Sequence, residues 1–303
     1  MPHQKANSPF PLFMFLSNTQ GICELWDPCY QNNGSITKKL PYSLSIVSTI
    51  EFCKDGWLML RSHEGYYLQY MNLFTGEKGK YPTKSLSSGL SSFAFSTCPT
   101  SPDCQTIGIN CPDSYYLIIC LLPGDDGWDK YELEFEDNDV DFYSNYKSSP
   151  KYHDGAFYFL GENGNLGVFK IMNGEWESHK GPLRKDDSLK LNECYIAELD
   201  GQLVYVFIQA FGSSIEVYSF DIKQEVWVEL KSLGDYTLFV SAASSLSIPT
   251  KDSSMRNRIY LPKRIGNEMV FYSLDTGKYH TSSSKFSFEN FCGMNSQSFC
   301  CWV

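Results

Sequence analysis

Short apolar runs rich in Val, Ile, Phe, Tyr and Trp alternate along this chain with polar clusters of Gly, Asp, Asn, Pro and Ser. Apolar spacing of helical period is nearly absent. Such a pattern encodes many short strands separated by tight turns, so the fold class is all-β.

Two kinds of turn organise the strands. Asp55-Gly56, Asp154-Gly155 and Asp200-Gly201 each separate two apolar runs. A two-residue type I′ turn needs positive φ at both centres, which makes Asp-Gly a strong hairpin signal. Around the first of them the predicted strands are Thr49 to Cys53, Trp57 to Arg61, Tyr66 to Asn72 and Lys78 to Tyr81. The stretches around the other two parse in the same way. A second turn follows an apolar strand and precedes a short aromatic one. It recurs at Trp26-Asp27-Pro28, Leu73-Phe74-Thr75-Gly76, Leu122-Pro123-Gly124, Met172-Asn173-Gly174, Phe220-Asp221-Ile222-Lys223 and Leu274-Asp275-Thr276-Gly277. With Asp27, Thr75, Gly124, Asn173, Lys223 and Thr276 as markers, the intervals are 48, 49, 49, 50 and 53 residues.

A spacing near fifty fits one four-stranded propeller blade per repeat, and six repeats predict a six-bladed β-propeller. The first repeat has no innermost strand before Leu12 to Leu16, whereas strand-like residues Ser298 to Val303 follow the last repeat. The terminal segment is therefore expected to join the N-terminal blade and close the ring, hiding edges that an open array would expose. This places a tail at residues 1–8 and a single propeller domain at residues 9–303. The strand after each marker turn usually carries an aromatic: Tyr81, Trp128 with Tyr131, Trp176, Trp227 and Tyr279. Rings recurring there are expected to cover the gaps between blades rather than to bind ligands.

Charge narrows the function. Twenty-five Lys and Arg stand against 35 Asp and Glu, a net charge of −10, and the basic clusters are only pairs. That argues against nucleic acid or an anionic membrane as partner. No apolar run is long enough to span a bilayer. Eleven cysteines, several inside apolar strands, read as reduced and buried thiols, which points to a cytoplasmic or nuclear compartment.

Catalytic and cofactor chemistry finds little support. Gly161 to Gly167 spells G-x-x-G-x-x-G, but Val168 to Ile171 reads as strand, so a hairpin loop is expected in place of a phosphate cradle. Asp137, Asp139 and Asp141 alternate like calcium ligands, yet Phe142 replaces the required Gly and Ser148 the closing Glu. They read as a solvated acidic segment, with a docking patch for a basic partner as the alternative. Cysteine spacings match no structural zinc pattern. Neither a nucleophile elbow nor a Ser/His/Asp set emerges. No cofactor, metal or catalytic residue is assigned.

Several stretches resemble the plant β-propeller family once catalogued as domain of unknown function number 295, also called the F-box-associated kinase-inhibitor-type or KIB-like propeller. They include Cys53-Lys54-Asp55-Gly56-Trp57-Leu58-Met59-Leu60, Asn72-Leu73-Phe74-Thr75-Gly76-Glu77 and Ser96-Thr97-Cys98-Pro99-Thr100-Ser101-Pro102-Asp103-Cys104. Tyr152 to Tyr158, Leu160 to Phe169, Ser232 to Asp235, Asn257 to Tyr260 and Tyr272 to Gly277 continue the likeness. The resemblance implies a non-catalytic interaction module: a substrate receptor for a ubiquitin ligase, or a protein that binds and inhibits a kinase. Many relatives carry an N-terminal F-box. Pro2, Pro9, Pro11, Pro28 and Pro41 disfavour its helices here, so adaptor binding through an F-box is not expected.

Partner contacts are expected on loops between the second and third strands of the blades: His63, Glu64, Glu162, Asn163, Phe211 and Arg264. Phe211 is an aromatic in a Gly-Ser loop, a candidate hot spot or a seal on a blade edge. Its replacement by Ala is expected to weaken partner capture with the melting temperature nearly unchanged. The alternative to an interaction module is an enzyme or small-molecule-binding propeller using the central channel.

Overall fold

The computed structural model describes residues 10–17, 22–28, 35–39, 49–62, 67–82, 90, 92–110, 115–122, 124–134, 142, 148–161, 163–182, 191–209, 214–283 and 300–303. The strands follow the predicted repeat. β1 (Phe13–Ser17), β2 (Ile22–Trp26) and β3 (Ser35–Lys39) belong to the first blade. The second holds β4 (Thr49–Lys54), β5 (Trp57–Arg61), β6 (Leu68–Asn72) and β7 (Lys78–Lys80). The third holds β8 (Ser92–Phe95), β9 (Thr106–Asn110), β10 (Tyr115–Leu121) and β11 (Asp129–Glu134). β12 (Lys151–His153), β13 (Ala156–Leu160), β14 (Leu166–Lys170) and β15 (Glu175–His179) form the fourth. β16 (Leu191–Leu199), β17 (Gln202–Gln209), β18 (Ile215–Asp221) and β19 (Val226–Glu229) form the fifth. The sixth contains β20 (Tyr236–Val240), β21 (Ser245–Pro249), β22 (Arg258–Ile265), β23 (Glu268–Ser273) and β24 (Lys278–Thr281), and the chain ends in β25 (Cys300–Trp302).

The Asp-Gly turns adopt the backbone their composition requires. Asp55, Asp154 and Asp200 have φ of 52°, 45° and 51°, and each following glycine is also positive. The G-x-x-G-x-x-G stretch is the β13–β14 hairpin, with Leu160 paired to Leu166. β25 joins the first blade antiparallel to β1, Phe13 facing Trp302 and Phe15 facing Cys300. Leu12 and Val303 exchange both backbone hydrogen bonds at 2.9 Å. The ring closes as predicted.

The sixth blade departs from the four-stranded expectation. Its order is β21-β20-β22-β23-β24, and β20 runs parallel to β22. The other blades are antiparallel throughout the pairings described. The reversed β20 sends its hairpin with β21 inward. There the Ala243 carbonyl accepts the Cys53 N–H of the second blade at 2.8 Å, and the Ala242 carbonyl accepts Ser149 N–H at 2.8 Å, just before the fourth blade. Ser244 Oγ donates to Trp302 O at 2.8 Å and accepts Trp302 N–H at 2.9 Å. A turn that bonds the first, second and fourth blades from the sixth must lie on the ring axis. It satisfies its own polar groups there, as a buried backbone segment requires.

Lys151 of β12 reaches the same hairpin, its Nζ donating to Ser245 O at 2.9 Å. Burial, reinforced by the Lys54 charge and opposed by Glu198, Asp55 and Cys53, pulls its ammonium from 10.5 down to about 8. Because the folded pKa is the lower one, the unfolded chain binds more protons between these values, and stability rises with pH across that window. The wild type is therefore expected to gain stability relative to Lys151→Met as pH is raised from 8 to 10.5 in urea denaturation series. Parallel pH curves for the two proteins would refute this.

Trp128, Trp227 and Tyr131 pack across blade junctions as expected, whereas the Tyr279 ring meets Tyr272 of its own blade at 5.0 Å. Trp128 Nε1 of the third blade donates to Pro82 O at 2.8 Å, just past the second. Trp227 Nε1 of the fifth donates to Lys180 O at 2.7 Å, just past the fourth. Tyr131 of the third blade meets Phe169 of the fourth at 5.2 Å between ring centroids. The eight cysteines described are free thiols, six of them buried.

Candidate functional site

Within each regular blade, the turns after the first and third strands lie at one end of the strands, and the turn after the second lies at the other. Where the first kind cluster, between the fourth and fifth blades, an open groove of about 1230 Å³ forms. One wall is the Asp154-Gly155 turn, Met172 and the outward side of β15. The other is Phe220, Ile222 and Glu225 from the β18–β19 turn. A second depression of about 510 Å³ lies on the far side of that turn, between His153 and Val228. Ile222 therefore forms a ridge between two hollows.

The apolar positions here are unusual for surface turns. Met172 is 88% exposed, and Ile222 is 36% exposed on the opposite wall. Both lie beside the polar residues of marker turns, Met172 before Asn173 and Gly174 and Ile222 between Asp221 and Lys223, so neither side chain is needed to make the turn. A flexible, polarisable Met beside an aliphatic ridge suits an adaptable protein contact.

Charged and polar groups line much of the groove. Lys170 and Glu177 are paired at 2.5 Å, and that hydrogen bond pushes the Lys170 ammonium pKa up. His179 packs at a tilt of 50° against Phe220, 5.1 Å between ring centroids, with Nδ1 3.6 Å from Glu225 Oε1 and Nε2 3.9 Å from Glu177 Oε2. The imidazole is thus held between a carboxylate of each blade. Burial, aided by Asp154, pushes the Tyr158 phenol up, which keeps it a neutral hydrogen-bonding group. Among the described residues no cluster of His, Cys, Asp and Glu could hold a metal ion.

Of the residues nominated from sequence, the two that are described, Asn163 and Arg264, do not line this groove. His63, Glu64, Glu162 and Phe211 lie outside the described residues, as do Asp137, Asp139 and Asp141. Asn163 is exposed in the β13–β14 turn, and its side-chain oxygen accepts Asn165 N–H at 3.3 Å. Arg264 is not in a loop. It sits in β22, opposite Met269, and the turn is shifted to Gly266 and Asn267. Its guanidinium stacks 3.7 Å from the Trp26 ring centroid of the first blade and donates to Gly266 O at 3.1 Å. Burial lowers its pKa, against the opposing pull of Glu24. Arg264 thus bridges the sixth and first blades. Sequence reasoning missed Met172 and Ile222, although each carried the signal that singled out Phe211: a large apolar residue in a polar turn.

Comparison with known proteins agrees with this architecture. A family model described as KIB1-4 beta-propeller matches residues 33–283. An F-box/kelch-repeat protein of Arabidopsis thaliana is 28% identical over 276 residues, which cover 89% of this chain and 76% of the relative. An F-box protein of the same plant is 26% identical over 240 residues, covering 78% and 62%. A second Arabidopsis F-box/kelch-repeat protein is 24% identical over 229 residues, covering 73% and 59%. The chain spans less than two thirds of the length of these last two. With residues 33–283, most of its length, matched by this one family model, the chain belongs to the KIB1-4 beta-propeller family.

Proposed function

We propose that this propeller is a non-catalytic interaction module that docks a protein partner in the groove between its fourth and fifth blades. The carrying observation is the exposed Met172–Ile222 pair on opposite walls of one framed groove. Rigid blades hold the two turns at fixed separation, so little ordering entropy is lost when a partner side chain enters. The F-box names of the relatives support one finer reading, substrate selection for a ubiquitin ligase; the second, binding and inhibition of a kinase, is the one the sequence resemblance implies. The β20–β21 hairpin on the ring axis favours use of the rim over the central channel for either.

Met172→Asp and Ile222→Asp test this. Both positions are exposed, so each substitution is expected to change stability by no more than about 0.5 kcal/mol. Affinity capture from plant extract, quantified by mass spectrometry, is expected to lose at least roughly tenfold of the specific partners, the equivalent of about 1.4 kcal/mol. Unchanged recovery, or no reproducible partner for the wild type, would sink the proposal. Kinase assays and ubiquitin-conjugation assays on the captured partner then separate the finer readings.

A further inference from the structure

The six blades do not protect their outermost strands equally. An outer strand leaves one edge unpaired, and proteins guard such edges with charged side chains, lysine above all. β7 exposes Lys78 and Lys80, β15 exposes Glu175, and β24 exposes Lys278. β11 exposes Asp129, Lys130 and Glu132. β3 shows one apolar position, Ile36, beside exposed Thr37. Among the described side chains, β19 is the outer strand whose exposed positions are all apolar. Its exposed positions are Val226 and Val228, at 47% and 50%.

The backbone of β19 is also oriented for pairing. Leu230 N–H bonds inward to Val217 O at 2.8 Å, and the ladder to β18 runs Val228 to Ser219 and Val226 to Asp221. Antiparallel ladders alternate, so Trp227 and Glu229 turn their backbone groups toward the outer edge.

The flanking residues select the occupant. We propose that β19 is a self-association edge on which a second copy of this chain pairs antiparallel about a two-fold axis at Val228. In that register Val228 faces its own copy and Val226 faces Leu230. Trp227 faces Glu229, while Glu225 faces Lys231. The stretch is thus self-complementary in both respects: residues 226, 228 and 230 of the two copies form one continuous apolar stripe, and both ends carry opposite charges. Glu225 and Lys231 have side chains 70% and 68% exposed, and such cross-strand pairs of opposite sign are favourable. The competing register, with Trp227 facing itself, sets Glu225 against Glu229 and is disfavoured by like charge. An isologous contact of this kind closes at two subunits and leaves no edge for further growth. The net charge of −10 on each copy opposes association, but charges beyond about 8 Å are screened at physiological salt.

Sedimentation velocity across a range of loading concentrations at physiological salt tests this. The wild type is expected to show a concentration-dependent monomer–dimer equilibrium. Val228→Lys is expected to be monomeric with an unchanged melting temperature, since the residue is half exposed. Glu225→Lys and Lys231→Glu should each weaken dimerisation roughly threefold to tenfold, and the double swap should restore it. A wild type that stays monomeric at every concentration overturns the proposal. So does a Val228→Lys protein that dimerises like the wild type, or a double swap that fails to restore association. Partner capture with Lys231→Glu, a residue that lines neither hollow, separates this edge from the groove: weakened dimerisation with capture retained supports the proposal, and loss of capture with dimerisation unaffected overturns it.

Discussion

Trp302→Ala is expected to lower unfolding free energy by about 3–5 kcal/mol, the range for emptying a buried aromatic site. Removal of Cys300 to Val303 is expected to abolish cooperative folding. Trp302 is 1% exposed and lies 4.9 Å from both Phe13 of the first blade and Phe239 of the sixth, measured between ring centroids. Its indole N–H also donates to Val240 O at 3.0 Å, so alanine would orphan a buried carbonyl as well as leave a cavity. Four terminal residues thereby join the two ends of the ring to the axial hairpin. Stabilities of single domains lie near 5–15 kcal/mol, so this one side chain is a large fraction of the total. Urea denaturation followed by tryptophan fluorescence and far-ultraviolet dichroism would measure it. A Trp302→Ala midpoint close to wild type would show that the closing strand is dispensable.

The same residues explain what was readable in the sequence. The blades could be counted because each repeat carries its own local signals: an Asp-Gly pair that forces positive φ, and a marker turn before an aromatic strand. The closing strand could be inferred because the first repeat lacked an inner strand and the last had residues to spare. The axial hairpin could not. Ser241 to Ser245 has loop composition, and its place depends on the backbone N–H donors of Cys53 and Ser149 and on the backbone of Trp302, which are far away in sequence. Arg264 was misplaced for a similar reason. Its basic side chain reads as a loop tip until Trp26, more than 200 residues earlier, is brought beneath it. The groove depends on two turns about fifty residues apart, each unremarkable alone.

Lys263→Met is the second substitution expected to be severe, at about 3–5 kcal/mol, because it would leave a carboxylate uncompensated in the interior. Lys263 and Glu193 are 8% and 2% exposed, with Nζ 3.3 Å from Oε1. The other carboxylate oxygen accepts the Tyr195 hydroxyl at 2.7 Å. Burial, then the Glu193 charge, raises that phenol's pKa well above its usual value, so Tyr195 remains a donor at any physiological pH. β16 shifts register between Leu191 and Glu193, and β22 shifts between Tyr260 and Arg264. Such bulges re-aim side chains, and here each occurs where one partner of the pair must turn toward the neighbouring blade. Removing the cation strands the anion, whereas neutralising both should not. Glu193→Gln with Lys263→Met keeps an acceptor for Tyr195 and is expected to recover at least half of the loss. Chemical denaturation of the two singles and the double closes the cycle. If Lys263→Met cost less than about 1 kcal/mol, the range of an exposed ion pair, the junction of the fifth and sixth blades would not depend on this pair.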